Sequence, residues 1–170
     1  MEKITHVITK ILAIILIILM AAMVLDVTWQ VFTRFILKNP SSFTEELAGF
    51  LLVWIGLLGA SYALYTKAHL GIDIITTKVT GVKRQLVEII IYAVIILFSL
   101  FVLVIGGLRL VNLTFTLNQI SPSLGIPMGY VYLVLPLTGI LMIYYSGFFI
   151  WLVLRKGKLN GPAHSASAVD

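Results

Sequence analysis

The chain has no cysteine among its 170 residues. Disulfides, thiolate zinc, iron–sulfur clusters and dithiol redox chemistry are excluded, while the compartment stays open. Charge is almost as scarce. Asp, Glu, Lys and Arg make up 11% of the chain, against about 25% in a soluble domain. Histidine occurs only at His6, His69 and His164, none inside an apolar run. A haem held between membrane helices by axial histidines is therefore disfavoured. No phosphate-binding loop, HExxH or GxSxG pattern is present, which removes the usual nucleotide, zinc-protease and serine-hydrolase signatures. What remains is apolar: hydrophobic residues make up 60% of the chain, and mean hydropathy is +1.08. This is an integral membrane protein, one domain by its length.

The net charge is +5. In a soluble protein such a balance could point to nucleic acid. Here the basic residues flank apolar runs, so they set topology and meet anionic lipid head groups, and no nucleic-acid partner is expected. Four transmembrane helices are predicted, over about 11–37, 46–66, 86–111 and 129–154. Lys3 and Lys10 before the first run resemble a signal-peptide start. No small-x-small cleavage site follows, and the apolar character continues to Leu37, so the first helix reads as retained. Between helices 2 and 3, Ile72, Ile75, Val79 and Val82 recur at helical spacing with Lys78, Lys83 and Arg84 off that stripe. This suits a short amphipathic segment on the membrane surface, with a plain basic loop as the alternative. Pro136 predicts a kink in helix 4.

With the N-terminus inside, the cytoplasmic segments hold Lys3, Lys10, Lys67, Lys78, Lys83, Arg84, Arg155, Lys156 and Lys158, and the outer side Arg34, Lys38 and Arg109. That bias fixes both termini as cytoplasmic. The predicted fold is an all-α integral membrane domain over 1–156, with a polar, disordered tail over 157–170.

Polar residues inside or beside the spans are the candidate functional residues. Asp26, Gln30 and Arg34 stand at i, i+4 and i+8, on one face of helix 1. Asp26, the deepest, suits an internal or subunit contact. Arg34 either joins it through Gln30 or snorkels to the outer interface. Ser42 and Glu45 have capping-box spacing at the start of helix 2. Adjacent acids point about 100° apart on a helix, so Glu45 and Glu46 cannot both serve that cap. The second is left for a partner, with Arg34 or Lys38 as the near candidates. Gly56/Ala60 and Gly59/Ala63 are small-xxx-small pairs that permit close helix approach. His69 and Asp73 are two possible metal ligands without a third; the competing reading is that they cap helix 2 and fix its turn. The segment 112–128 has no charge but carries Pro122, Gly125 and Pro127, which predicts an ordered turn. No metal or cofactor site is expected in this chain.

The ordered set of motifs resembles the small membrane subunit of tripartite ATP-independent periplasmic (TRAP) transporters, the DctQ-like family. The resemblance covers about 24–145. It is carried by Asp26 to Phe35 ending in Arg-aromatic, by Thr44-Glu45-Glu46-Leu47-Ala48, and by Trp54 to Ala60. It continues through Lys67-Ala68-His69 to Asp73, then Ser121 to Pro127 and Tyr132 to Pro136. Gly49 departs from it, since many relatives carry a basic residue there.

The resemblance implies a small scaffold subunit in the bacterial inner membrane. Its partners would be a large, DctM-like membrane subunit, a periplasmic substrate-binding protein and membrane lipids. The large subunit would carry the sodium and substrate sites and import an organic acid, of sialic acid or C4-dicarboxylate class. Asp26, Gln30, Arg34, Glu45, Glu46 and Arg109 would then make polar contacts in the outer half. A rival reading is a stand-alone homo-oligomeric transporter or channel with Asp26 as the ion-coupling residue. A third is an anchor for a cytoplasmic enzyme, for which the loops offer little docking surface.

Overall fold

A computed structural model describes residues 2–38, 41–66 and 82–159. Among them the regular secondary structure is helical, with one isolated β-bridge. This is the expected outcome in lipid, where each backbone N–H and C=O must be satisfied within its own segment. Four stretches are long and apolar enough to cross a membrane: Lys3–Phe35, Ser42–Tyr65, Arg84–Thr116 and Met128–Arg155.

The first span is α1 (Glu2–Phe35), of 34 residues. At 1.5 Å per residue it measures about 50 Å, well over the ~30 Å hydrocarbon thickness, so it must tilt or project. It begins nine residues before the predicted start, because the polar turns 2–10 contain no helix breaker and are tied down. The Thr5 hydroxyl lies 3.0 Å from the Tyr144 hydroxyl, and the Thr9 hydroxyl 3.2 Å from that of Tyr145. α1 ends two residues early, and Lys38 beyond it takes a left-handed φ of 50°. The Asn39-Pro40 break itself lies outside the described residues.

The second span is α2 (Ser42–Tyr65). The third begins as α3 (Val82–Phe98), widens into a π-helical segment (Ser99–Gly106) and continues as α4 (Gly107–Thr116). Its described length exceeds the predicted 86–111 at both ends. Near its start, Arg84 and Glu88 form an i,i+4 ion pair at 3.0 Å. The fourth span is α5 (Met128–Tyr132) followed by α6 (Val134–Leu159). Pro136 has no N–H to give the Tyr132 carbonyl, and the helix breaks at Leu133, one turn before the proline. α6 reaches Leu159, so the first residues of the predicted tail are helical. The predicted amphipathic segment up to 81 and the end of the tail from 160 lie outside the described residues.

The packing order is not the sequence order. The first span lies on the second, the second on the fourth, and the fourth on the third. The fourth span is the centre of the row. At the end that carries the termini, Tyr65 packs on Tyr145 with ring centroids 5.2 Å apart, and Tyr92 stacks on Phe149 at 5.3 Å. With Leu12, Leu58, Leu64 and Val134 these rings form one core that joins all four spans.

The third and fourth spans approach closely, and two glycines permit it. A Cβ on Gly107 would stand 2.9 Å from the Leu135 Cβ and 3.0 Å from the Pro136 Cδ. One on Gly139 would stand 2.8 Å from the Val104 Cγ2 and 3.2 Å from the Ser99 carbonyl oxygen. Without a hydrophobic force between helices in lipid, such backbone approach supplies the attraction.

Candidate functional site at the end opposite the termini

The polar construction of this protein is concentrated opposite the termini, where α2 starts and the 117–127 loop joins α4 to α5. The loop is built by its own sequence. α4 ends in a Schellman motif with Asn118 in the left-handed position at φ 48°. Its N–H bonds the Phe115 carbonyl at 3.1 Å, and the Gln119 N–H bonds the Thr114 carbonyl at 3.0 Å. Asparagine takes the role more often given to glycine. The loop then closes on itself. Met128 N–H donates to the Gln119 carbonyl at 2.9 Å, Ser121 N–H to Ile126 at 2.9 Å, and Gly125 N–H to Ser121 at 3.0 Å. Gly125 has φ +66°, a conformation that suits glycine. The ordered turn expected from Pro122, Gly125 and Pro127 is present.

Glu46 fastens this loop to α2. Its Oε2 accepts from the Ser123 N–H at 2.9 Å and the Leu124 N–H at 3.2 Å. A carboxylate taking two successive backbone donors forms charge-assisted bonds. The Ser121 hydroxyl oxygen accepts from the same Leu124 N–H at 3.1 Å. Glu46 thus binds backbone across the bundle. This corrects the expectation that the acid left over from the cap pairs with Arg34 or Lys38: among the described residues neither base makes an ion pair. The capping box also fails to form. The N-cap is Ser41 and not Ser42, it makes no side-chain cap bond, and the Thr44 hydroxyl donates back to the Ser41 carbonyl at 2.9 Å.

Eight residues, or about two turns, further along α2, the Trp54 indole N–H donates to the Val131 carbonyl at 3.0 Å. That carbonyl lies beside the helix break at Leu133. Glu46 and Trp54 together clip α2 to the 117–127 loop and to α5. On the hairpin's other side the Phe115 ring meets Tyr130 edge-on at 5.3 Å and fills the space above Gly129. A groove of about 350 Å³ runs between Glu45, Glu46, Gly49 and Val53 on α2 and Met128 and Val131 on α5.

The remaining predicted residues do not join this clip. Asp26 is buried, 9% exposed, and its Oδ2 has no hydrogen-bond partner. Gln30 is half-buried and Arg34 exposed, so the i, i+4, i+8 face does not close into a polar chain. Glu45 is exposed, as is Arg109, which lines a separate surface groove with Asn112 and Thr116. His69 and Asp73 lie outside the described residues. No cluster of three potential metal ligands exists among the described residues. The small-xxx-small glycines Gly56 and Gly59 face nothing within 4 Å, so they are not used inside the chain.

Sequence reasoning missed Asn118, the Thr5–Tyr144 and Thr9–Tyr145 pairs, and the glycines at the third–fourth seam. An Asn after an amphipathic turn and Thr at i, i+4 are visible signals. Nothing local marks Gly107 and Gly139 as different from Gly56 and Gly59.

Residues 23–156 match the family model described as tripartite ATP-independent periplasmic transporters, DctQ component. Over 170 residues, all of this chain and 95% of the relative, the sequence is 28% identical to the sialic acid TRAP transporter small permease protein SiaQ of Vibrio cholerae. It is 29% identical to the C4-dicarboxylate TRAP transporter small permease protein DctQ of Rhodobacter capsulatus, over 74% of this chain and 54% of that one. It is 31% identical to the isethionate TRAP transporter permease protein DctMQ of Oleidesulfovibrio alaskensis, over 70% of this chain but only 20% of that longer protein. The four-span helical fold and a family match over most of the chain agree, and the protein belongs to the DctQ family of TRAP transporter components, a multi-pass membrane protein and not an enzyme.

Proposed function

We propose that this chain is the small scaffold subunit of a sodium-coupled TRAP transporter, oriented with both termini in the cytoplasm. It works with a large, DctM-like membrane subunit and a periplasmic binding protein that delivers an organic acid. The family match over 23–156 carries this reading. The relative in which a homologous stretch forms a fifth of a longer permease supports the large partner. The names of two relatives favour a sialic acid or a C4-dicarboxylate as the cargo class.

The physics of the chain supports a scaffold. Transport sites use broken helices and grouped polar side chains at the midplane. Here the groups bonded by Glu46 lie at the ends of the spans, and the Trp54 indole N–H is bonded to the Val131 carbonyl two residues before the helix break at Leu133. Glu46 and the 117–127 loop form a rigid outer surface for the binding protein. Glu45, Arg34, Gln30 and Arg109 remain for contacts with partners, as does Asp26. The open face of Gly56 and Gly59 suits close approach by a helix of the large subunit.

Asp26 sustains the rival. A buried carboxylate with no partner is the residue a stand-alone proton or ion carrier would need. Reconstitution into liposomes separates the two. Sodium-driven uptake that requires this chain, the large subunit and the binding protein supports the scaffold. Flux through the purified chain alone, abolished by Asp26→Asn, refutes it. A substrate panel then identifies the acid. The Glu45→Gln/Glu46→Gln double variant is expected to weaken uptake or complex assembly, and unchanged uptake with an intact complex would remove these acids from the function.

A further inference from the structure

The end that carries the termini holds a second constructed feature. The start of α1, the end of α2 and the last turns of α6 meet there around an open cleft of about 780 Å³. Its lining is Lys3, His6, Val7, Tyr65, Phe148 and Leu152. That volume falls within the roughly 300–1,000 Å³ of small-molecule sites.

The lining is divided in kind. Val7, Tyr65, Phe148 and Leu152 form an apolar and aromatic wall. Lys3 and His6, one helical turn apart, set a cation and an N–H donor at one edge. Among the side chains described, the one ion pair is Arg84 with Glu88, and it does not involve Lys3 or His6. The walls are pinned in place. The Thr5–Tyr144 and Thr9–Tyr145 hydroxyl pairs hold α1 to α6 directly beside the cleft. Phe148 stacks on Trp151, and the Arg155 guanidinium lies 5.4 Å from the Trp151 ring.

We propose that this cleft binds one anionic phospholipid of the inner leaflet, with its phosphate on Lys3 and His6 and an acyl chain against Val7, Phe148 and Leu152. An apolar wall that opens beside hydrocarbon is completed by a chain of lipid. The cation at head-group depth selects a net negative head group over a zwitterionic one. A soluble anion would use Lys3 and His6 and leave the wall bare. The assignment rests on the cytoplasmic placement of the termini, and not on which solute the complex carries.

Native mass spectrometry of the purified chain with its large subunit tests it directly, after exchange into detergent with equal phosphatidylglycerol and phosphatidylethanolamine. The wild type is expected to retain phosphatidylglycerol about fivefold over phosphatidylethanolamine, the factor that one basic residue at an anionic surface gives. Lys3→Gln/His6→Gln is expected to lose the preference, and Leu152→Trp, which fills the cleft while leaving both polar groups, to lose the lipid. Lys38→Gln, at the opposite end, keeps both. Equal retention of the two lipids by the wild type overturns the proposal, as does retention unchanged by both cleft variants. Displacement of the lipid by excess inorganic phosphate also overturns it, because the site would then serve a free anion. A chain that retains the lipid selectively but shows no uptake leaves this site standing and sinks only the transporter reading.

Discussion

The third–fourth seam and the open side of the second span use glycine in opposite ways. At the seam, Gly107 and Gly139 lie where a Cβ would collide with Leu135, Pro136, Leu103 or Val104. On α2, Gly49, Gly56 and Gly59 meet nothing within 4 Å. Burial instead singles out the fourth span. In its most apolar stretch it has 33% of its residues buried inside the chain, against 17% for both the second and the third and 11% for the first. One side of the molecule has satisfied its packing internally; the other presents a helix face whose small residues have no internal use. In lipid, where exposed leucine costs nothing, a face kept small is a face kept close to something.

Substitutions can break this comparison. The largest effect is expected from Gly139→Leu. The Ser99 backbone carbonyl and two side chains block its Cβ, so overpacking should cost about 1–3 kcal/mol or more. A fall in the unfolding midpoint of the purified chain checks it, and an unaltered midpoint would mean the seam is looser than described. Next comes Glu46→Gln, which removes the charge on the acceptor of the Ser123 and Leu124 amides. Hydrogen exchange at those two amides should quicken while the core around Tyr145 stays protected. Trp54→Phe keeps the ring but strips the indole N–H from the Val131 carbonyl, and a loss of about 0.5–1.5 kcal/mol is expected in the same unfolding assay. The smallest intrachain effect belongs to Gly56→Leu. With open space around it, the isolated chain should keep its midpoint, while co-purification of the large subunit falls. Equal damage at Gly56 and Gly139 in the isolated chain would erase the distinction between the two faces.

Much of the architecture was legible in the sequence, because the bilayer imposes length and apolar character on every span. Four runs bounded by Asn39-Pro40, Lys67 and Pro127 could be little else. Pro136 announced the break, although the interruption sits at Leu133, where the missing donor is felt. The expectation failed where distant residues compete for a group. One acid was assigned to the cap and the other to the nearest bases, yet the backbone of a loop 77 residues away took Glu46. The capping box failed for a related reason: Ser41, already extended, ended the turn first. The π-helical widening at Ser99–Gly106 has no mark in a run of Phe, Val, Leu and Ile. It is settled by the fit of Ser99 and Leu103 against Gly139, a relation between two helices that no local pattern contains.

The row order of the spans also bears on how the chain is made. The fourth span lies between the second and the third, yet it leaves the ribosome after both of them. The first pair can associate as soon as both helices are in the bilayer. The third span then waits without its main neighbour, its glycine at Gly107 facing lipid, until Pro136 and Gly139 arrive. Packing of the third span therefore waits on the fourth, and the step that completes the core is the same one that draws Glu46, Trp54 and the 117–127 loop together.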